Sequence, residues 1–409
     1  MAQAAAQRGI TIIEDGSATS PRGFVAGAVY AGIKTAGAGK LDLGILASES
    51  PARVAAMFTQ STVKGSAVIV SQLHARNGRA SGVIVNAGIS NVANGAVGMR
   101  DADEMCRLAA AKLGIAAADV LVGSTGIIGR PLPMEKIRAG VPRIVLHAGG
   151  GGEFARAIMT TDTHPKTMAV RVAAGGRAYT IGAVAKGVGM IHPDMATMFC
   201  FVTTDAPVAA GFLRATFRAA VKDSLNMISV DGDTSTSDTA AIFANGAAGG
   251  SLIDRAHVAA AGFERGLRYV CTSMAKMLAR DGEGAEKLIE VRIEGAATDA
   301  EARAAARTIT ASPLVKTALH GSDPNWGRVM MAIGRSGARI ELGRARVWLG
   351  KTMVYRGKPV AFDGAAASAY LRGDEVLVRA HLGAGKASAT AWGCDLTPEY
   401  VHINADYTT

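Results

Sequence analysis

The sequence predicts an α/β protein in which helices and strands form layers around a shared core. Ile289, Val291 and Ile293 alternate with charged residues, which is typical of a strand with one buried face. Apolar residues recur with helical spacing over 213–225 and 263–277. Because no repeat or low-complexity linker interrupts the 409 residues, we expect two or three closely integrated lobes.

The first half of the chain contains a predicted strand, a helix and a second strand. Val83–Val85 reads as a short buried strand, Asp101 is expected to cap the helix that follows, and Gly114 is expected to end it. The apolar residues 120–122 predict another strand. The glycine-rich residues 123–129 then predict a turn with exposed backbone N–H groups, as an anion or oxyanion site requires. A simple glycine turn fits the same residues equally well.

A loop in the middle of the chain places a threonine in front of a predicted buried strand. The loop runs from Lys186 through two glycines and Pro193 to Ala196 and Thr197, and the apolar residues 199–202 follow it. This arrangement presents one hydroxyl at the head of a strand, so we interpret Thr197 as a nucleophile. An ordinary loop leading into a core strand explains the local pattern equally well.

Two polar segments lie between and after the helices of the second half. Residues 231–238 are rich in turn-forming side chains, which either bind a polar ligand or, as we favour, cap their own backbone. Glu283 follows a helix on a turn with two glycines. Its carboxylate is suited to a cationic substrate group, although on the local pattern alone a solvated turn carboxylate is the better interpretation.

Composition and charge exclude several classes of protein. Hydrophobic residues make up 49% of the chain and charged residues 19%, which fits a globular enzyme. The net charge of +10 is spread along the sequence without a dense basic block, so we expect attraction of anionic metabolites and no nucleic-acid partner. No apolar run approaches the about 18 residues of a membrane span. We therefore expect no membrane partner and a cytoplasmic location.

The familiar cofactor and metal motifs are missing from the sequence. The four cysteines are far apart with no C-x-x-C pair, so neither zinc nor a disulfide scaffold is indicated. Gly350-Lys351-Thr352 lacks the first glycine of a phosphate-binding loop, since position 345 is alanine. Neither an H-E-x-x-H helix nor a G-x-S-x-G elbow occurs. We expect no cofactor and no metal.

Seven segments spread over nearly the whole chain form a recognisable series. They are Ser124-Thr-Gly-Ile-Ile-Gly129, Thr160-Thr-Asp-Thr163-His-Pro-Lys166, Lys186-Gly-Val-Gly-Met-Ile-His-Pro-Asp-Met-Ala-Thr-Met198, Asp231-Gly-Asp-Thr-Ser-Thr236, Arg280-Asp-Gly-Glu-Gly-Ala285, Asp323-Pro-Asn-Trp-Gly-Arg328 and Asn404-Ala-Asp-Tyr-Thr-Thr409. Taken in order, they resemble the ornithine acetyltransferase family, also called glutamate N-acetyltransferase. Because seven segments match in the same order along the chain, the resemblance is specific.

The resemblance implies a precursor that cuts itself between Ala196 and Thr197. An α chain of residues 1–196 and a β chain of residues 197–409 would stay together, and two of each would assemble. It also implies an α-β-β-α sandwich like that of the β-aminopeptidases, with an integrated C-terminal lobe. The released α-amine of Thr197 would act as the base for its own hydroxyl.

The resemblance further implies a ping-pong acetyl transfer from N2-acetylornithine to glutamate within arginine biosynthesis. The oxyanion pair of the family corresponds to Thr125 and Gly126. Substrate-binding positions of the family correspond to Thr163, Lys186, Thr197, Glu283, Asn404 and Thr409. Lys186 is suited to a substrate carboxylate and Glu283 to the side-chain ammonium of ornithine.

The chain departs from the family pattern at the rim of the expected pocket. Asn91-Val-Ala-Asn94-Gly95 stands where an Asn-Ala-Cys-Thr-Gly segment is common, and His192 and Asp194 replace a small residue and an asparagine. These changes leave open whether acetyl-CoA is a second acetyl donor. Two other functions also stay open at this point: a self-cleaving amidohydrolase or aminopeptidase of the same fold, and a non-catalytic metabolite-binding protein.

Overall fold

The computed structural model describes residues 9–34, 39–192 and 198–406. The strands are β1 Ile10–Ile13, β2 Phe24–Val29, β3 Leu43–Ser48, β4 Arg53–Phe58, β5 Gly82–Ile89, β6 Val120–Ile127, β7 Lys166–Ala174, β8 Arg177–Lys186, β9 Phe199–Thr204, β10 Ile228–Ser229, β11 Thr239–Ala244, β12 Leu288–Ala296, β13 Arg346–Leu349, β14 Thr352–Arg356, β15 Glu375–His381 and β16 Ala387–Cys394. The helices are α1 Ser66–His74, α2 Gly95–Leu113, α3 Met134–Gly140, α4 Gly151–Ala157, α5 Ala210–Lys222, α6 Ala260–Arg280, α7 Asp299–Thr310, α8 Pro313–His320, α9 Trp326–Gly334, α10 Gly364–Leu371 and α11 Pro398–Asp406.

These strands form three sheets. The central sheet has the order β1-β7-β8-β9-β11-β4, and its neighbouring strands are antiparallel except for the parallel pair β9 and β11. The second sheet has the order β2-β3-β5-β6, with β5 and β6 parallel. The third sheet, β10-β16-β12-β15-β13-β14, belongs to the C-terminal part of the chain. The sequence therefore folds into mixed layers, as predicted.

The central and second sheets pack face to face. Their common core contains Leu46 and Val85 from the second sheet and Phe199, Phe201 and Phe243 from the central sheet, all buried. Alternate residues of the same strands point the other way, because side chains along a strand alternate between its two faces. Those outward residues contact helices instead, so each sheet has an apolar layer on both sides.

Helices cover the outer face of each sheet. Apolar residues of α1, α2 and α3 pack on the outer face of the second sheet. Helices α5 and α6 pack on the outer face of the central sheet, and α6 also contacts β12 and β16 of the third sheet. The predicted α-β-β-α sandwich is confirmed, and the shared helix α6 makes the C-terminal lobe part of the same core.

Most of the predicted elements are present. The helical stripes correspond to α5 and α6, except that Leu225 lies beyond the end of α5 in a short 3-10 turn. In β12, Ile289, Val291 and Ile293 are buried while Arg292 is exposed, as predicted.

Two element boundaries differ from the prediction. Helix α2 begins at Gly95 rather than at Asp101, and it ends at Gly114 with a left-handed φ of 68°. Residues 123–127 do not turn: they continue β6 in register with β5, where Gly126 pairs with Gly88. Across the described residues, no helix is long and apolar enough to cross a bilayer.

Candidate active site

A pocket of about 120 Å³ lies where strands β6, β8 and β9 meet at the edge of the two packed sheets. It is lined by Ser90, Thr125, Gly126, Ile128, Thr160, Thr161, Lys186, Gly189, Met190, Met198, Phe199, Ser235, Thr236, Ser237, Asp238, Glu283 and Asn404. Seven of these seventeen residues carry hydroxyl groups, and the lining also contains one ammonium and two carboxylates. Such a surface suits a small ligand that carries charges of both signs.

Lys186 supplies the positive charge of the pocket. It is the last residue of β8 and pairs in register with Phe199, the first residue of β9. Its Nζ lies 3.2 Å from Thr160 Oγ1 and 5.8 Å from the centre of the Phe199 ring. Burial lowers the pKa of Lys186, although the charges of Asp162, Asp238 and Glu283 act in the opposite direction. An incoming carboxylate would add another favourable charge for this ammonium.

Glu283 supplies a negative charge from the turn that follows α6. Gly284, with φ of 68°, makes that turn possible. Thr161 Oγ1 donates to Glu283 Oε1 at 2.7 Å, and Asn404 Nδ2 donates to Oε2 at 2.8 Å. A side chain at Gly189 would begin 2.6 Å from the Glu283 carboxyl carbon, so the loop approaches closely. Glu283 is therefore a half-buried turn carboxylate that lines the pocket and accepts two side-chain hydrogen bonds.

Thr125 and Gly126 line the pocket near the end of β6. Thr125 is buried, and Gly126 has φ of 123°, a conformation that favours glycine. A Cβ atom at Gly126 would lie 2.3 Å from the carbonyl carbon of Gly88 on the adjacent strand. The close approach of these two glycines packs the backbone of Thr125 and Gly126 tightly against strand β5. The predicted oxyanion pair thus lies beside the pocket.

A buried ionic network supports the pocket from behind. Lys166 Nζ donates to Asp162 Oδ1 at 2.7 Å and to Asp281 Oδ2 at 2.6 Å, and the three side chains are almost fully inaccessible to solvent. Asp162 also accepts the N–H groups of Thr160 at 3.0 Å and Gly187 at 2.8 Å. Burial alone would raise the pKa of Asp162, but the nearby lysine charges and the Gly187 N–H lower it. The network connects the loop of residues 160–163 with the loop that follows β8.

Thr163 belongs to that network and not to the pocket lining. Its backbone N–H donates to Asp281 Oδ2 at 3.1 Å, and its hydroxyl also donates to the Asp281 carboxylate. The structure therefore brings together Thr125, Gly126, Lys186, Glu283 and Asn404, while Thr163 is exposed and lies outside the pocket lining. The remaining predicted site residues, Ala196, Thr197 and Thr409, lie outside the described residues.

Sequence reasoning gave no individual role to several hydroxyl residues of the pocket. Thr160 contacts Lys186 and Thr161 contacts Glu283, and residues 235–237 also line the pocket. Their signal was the density of hydroxyls in two of the segments that carry the family resemblance, but density alone does not say which hydroxyl faces a ligand.

Asp231 performs the capping role that we favoured for its segment, and it also joins two loops. Its carboxylate accepts the N–H of Asp233 in its own turn and those of Met190 and Ile191 in the loop after β8. Burial raises the pKa of Asp231. This carboxylate therefore fixes the loop that carries Met190 into the pocket wall.

One cluster of potential metal ligands occurs among the described residues, outside the pocket lining. Glu286, His320 and Asp395 have ligand atoms within 4.8 Å of one another. However, Asp395 Oδ2 is 3.0 Å from His320 Nδ1, and Asp395 Oδ1 accepts the N–H groups of Glu286 and Lys287. These protein contacts already engage the buried carboxylate, so the cluster favours a structural role.

Comparison of the amino-acid sequence with known protein families identifies one family. The model of the ArgJ family matches residues 25–409, which include every described residue of the pocket. The chain belongs to the ArgJ family. The ornithine acetyltransferase resemblance stated from the sequence segments is confirmed by this match.

Curated members of the ArgJ family are similar to the chain over almost its full length. The arginine biosynthesis bifunctional protein of Symbiobacterium thermophilum is 51% identical over 397 residues, which cover 96% of this chain and 99% of that protein. The protein of the same name from Dehalococcoides mccartyi is 46% identical over 401 residues, covering 98% and 99%.

A solved structure of the family aligns with about half of the chain. The crystal structure of the arginine biosynthesis bifunctional protein from Bacillus halodurans is 43% identical, with a TM-score of 0.51. The alignment covers 100% of that crystal chain but 52% of this one. The solved chain is thus much shorter than the chain described above.

Proposed function

We propose that this protein is a glutamate N-acetyltransferase that transfers an acetyl group from N2-acetylornithine to glutamate in arginine biosynthesis, acting in the cytoplasm. The observation that carries the proposal is that Lys186 and Glu283 line the same pocket, together with Thr125 and Gly126. N2-Acetylornithine carries a carboxylate and a side-chain ammonium, and these match the two opposite charges. Membership of a family whose curated relatives are named for arginine biosynthesis supports the same reaction.

The first chemical step is a self-cleavage. Thr197 Oγ attacks the carbonyl carbon of Ala196, the peptide nitrogen leaves as an amine, and an ester replaces the amide. Water then hydrolyses the ester, which gives a carboxylate on Ala196 and frees the hydroxyl and α-amine of Thr197. Met198, the residue bonded to Thr197, lines the pocket, which supports this position for the nucleophile.

The position of the cut between two strands supports the proposal that both products stay together. Strands β8 and β9 are antiparallel neighbours whose pairing extends from Ile181 with Thr204 to Lys186 with Phe199. The proposed β chain, residues 197–409, is 213 of the 409 residues, or 52%. The solved Bacillus halodurans chain covers the same share, as expected for one chain of a cut protein.

The acetyl transfer then takes two half-reactions. The α-amine of Thr197 accepts the hydroxyl proton as Oγ attacks the acetyl carbonyl of N2-acetylornithine. Thr125 and Gly126 stabilise the negative oxygen of the tetrahedral intermediate, a contribution of about 3 kcal/mol for one such donor. Ornithine leaves with the proton, and the α-amine of glutamate attacks the acetyl-threonine ester. N-Acetylglutamate leaves and Thr197 is restored without a cofactor.

The other substrate-binding residues divide between direct and indirect roles. Lys186 binds the substrate carboxylate and Glu283 binds the ornithine ammonium. Asn404 orients Glu283 through their 2.8 Å hydrogen bond, and Thr163 acts through Asp281. Thr409 is assigned to substrate binding by family resemblance.

Mass spectrometry of the purified protein tests the self-cleavage. We expect two polypeptides whose masses correspond to residues 1–196 and 197–409, and a single uncut chain of 41.8 kDa for Thr197→Ala. Thr203→Ala is a matched control, since that buried hydroxyl donates to the carbonyl of Ala18. An uncut wild type, or a Thr197→Ala protein that is cut normally, would contradict the proposal.

The acceptor is tested by supplying N2-acetylornithine with and without glutamate. We expect ornithine release to continue past one turnover only when glutamate is present, with N-acetylglutamate formed in equal amount. Acetate release that is indifferent to glutamate would identify the hydrolase alternative, and no turnover would favour a non-catalytic binding protein.

The word bifunctional in the relatives' names supports acetyl-CoA as a second donor. Acetyl-CoA with glutamate, in the absence of N2-acetylornithine, tests that part separately: we expect free thiol and N-acetylglutamate to form in equal amounts. The proposed assembly of two α and two β chains is tested by native mass spectrometry.

A further inference from the structure

A second groove, of about 300 Å³, opens along strand β4 at one edge of the central sheet. Ala56 and Met57 of β4 line it together with arginine side chains. Helix α5 borders the groove on one side, and residues at the end of α1 and just after it border the other side. None of the residues that line the substrate pocket lines this groove. The edge of the sheet is therefore accessible between the two helical layers.

The backbone of β4 has unused hydrogen-bonding groups on this side. Thr59 N–H donates inward to Asp238 O and Val54 N–H donates outward to Gly78 O, so the even-numbered residues of β4 face away from β11. The N–H groups of Ala56 and Phe58 consequently point into the groove. Within the described part of the chain, neither donates a backbone hydrogen bond. An edge of this kind is a template for another extended segment.

Arginine side chains surround the same edge. Arg76 lies on one side of the groove and Arg214 and Arg218 lie on the other, all three exposed. Arg53 and Arg79 are also exposed and face each other through a backbone bridge at one end of β4. Among the described residues, no carboxylate lies within ion-pair distance of any of the five. The groove thus combines an accessible sheet edge with uncompensated positive charge.

We propose that this groove binds an extended acidic peptide segment of a partner protein, which adds to the central sheet as a strand beside β4. Backbone groups of the peptide would pair with Ala56 and with the N–H of Phe58, whose carbonyl accepts a hydrogen bond from Gln60 Nε2 at 3.4 Å. Alternate side chains of an added strand point to opposite faces, so carboxylates on one face would meet Arg76 and those on the other would meet Arg214 and Arg218. Pairing of β4 with β4 of a second copy would instead bring like charges together, which is unfavourable.

Fluorescence anisotropy with a labelled eight-residue peptide of the repeat Glu-Glu-Val-Val, which places carboxylates on both faces of an added strand, tests this proposal at low salt. We expect saturable binding to the complete wild-type protein. The double variant Arg214→Glu, Arg218→Glu should bind about tenfold more weakly, because two ion pairs become two repulsions. The matched control is Arg356→Glu, Arg372→Glu, which makes the same charge change at two exposed arginines elsewhere and should bind like wild type.

A second peptide separates strand addition from simple attraction of anions. The same sequence carrying N-methyl groups on all of its backbone nitrogens keeps its charge but loses the N–H donors of both edges, and we expect it to bind about tenfold more weakly. Equal binding of the methylated peptide, equal loss of binding in the control variant, or failure of the acidic peptide to bind wild type would overturn the proposal. Self-association that is lost in the Arg214 and Arg218 variant would also overturn it, since a second copy would then occupy the groove.

Discussion

The two charged ends of the substrate pocket are built in different ways. Lys186 lies at the end of a central strand, is buried, and depends on an ionic network that is itself inaccessible to solvent. Glu283 lies on a turn and is held by neutral hydrogen bonds from Thr161 and the exposed Asn404. The cationic end is therefore part of the folded core, while the anionic end is part of the surface. Substitutions should affect stability at one end and substrate selectivity at the other.

The largest effect is expected for Lys166→Met, which breaks the network shared by both ends. It would leave Asp162 and Asp281 buried without their cation, and removing one partner of a buried ion pair costs about 3–5 kcal/mol. We expect a large fall in the melting temperature, together with a loss of kcat/KM for both substrates under conditions where the variant is still folded.

A matched control for that variant is Lys287→Met. Lys287 is also buried, but its Nζ donates to the carbonyls of Leu319, His320 and Leu371 and to Ser322 Oγ, none of which lines the pocket. It should lose stability while keeping kcat/KM in the folded protein. Equal losses of kcat/KM in the two folded variants would show that Lys166 has no special relation to the pocket.

Glu283→Gln should act on one substrate only. The amide keeps the shape but removes the charge that we assign to the ornithine ammonium, and hydrogen bonds to charged groups contribute about 1.5–3 kcal/mol. We expect KM for N2-acetylornithine to rise by about tenfold or more and KM for glutamate to change much less. Glu286→Gln, at a neighbouring exposed carboxylate, is the control. A parallel rise for both substrates would remove the distinction between the two ends.

Asn404→Ala should give a smaller effect in the same direction. One neutral donor to Glu283 is lost, which corresponds to about 1 kcal/mol or a fivefold rise in KM for N2-acetylornithine. Asn404→Asp places a second carboxylate beside Glu283 and should raise KM further. If the alanine and aspartate variants have the same KM for N2-acetylornithine, Asn404 does not orient the side chain of Glu283.

The smallest effect is expected in the pH dependence, where the two ends influence each other. Lys186 is charged below its lowered pKa and neutral above it, so KM for glutamate should rise as the pH increases through that value. Because the charge of Glu283 raises the pKa of Lys186, Glu283→Gln should move this rise to a lower pH. Glu286→Gln should leave the profile unchanged. An unshifted profile in Glu283→Gln would mean that the ends are independent.

The sequence predicted the parts of the fold that depend on local pattern. The stripes of α5 and α6 and the alternation of β12 are properties of consecutive residues, and the structure contains all three. The predicted start of α2 was wrong. The sequence indicated Asp101 as the capping residue, whereas the helix begins at Gly95, directly after Asn94.

The pocket was predictable in its membership but not in its support. Lys186, Glu283 and Asn404 were predicted from the segments that resemble the ornithine acetyltransferase family, and they lie together in the structure. The bond between Lys166 and Asp281 joins residues 115 positions apart and depends on how β7 and the end of α6 meet. No local pattern contains that information. The ionic network and the hydrogen bonds of Thr163 to Asp281 could therefore be identified only from the structure.

The hairpin formed by β8 and β9 has a consequence for how the molecule assembles. Strands β1, β4, β7 and β8 come from residues before position 197, while β9 and β11 come from residues after it, so one sheet contains both parts. Neither part can complete the buried layer between the sheets alone. If the proposed cut between Ala196 and Thr197 is made, renaturation becomes an encounter of two polypeptides whose rate depends on their concentration. An uncut chain folds as a single polypeptide, so we expect the proposed self-cleavage to follow folding.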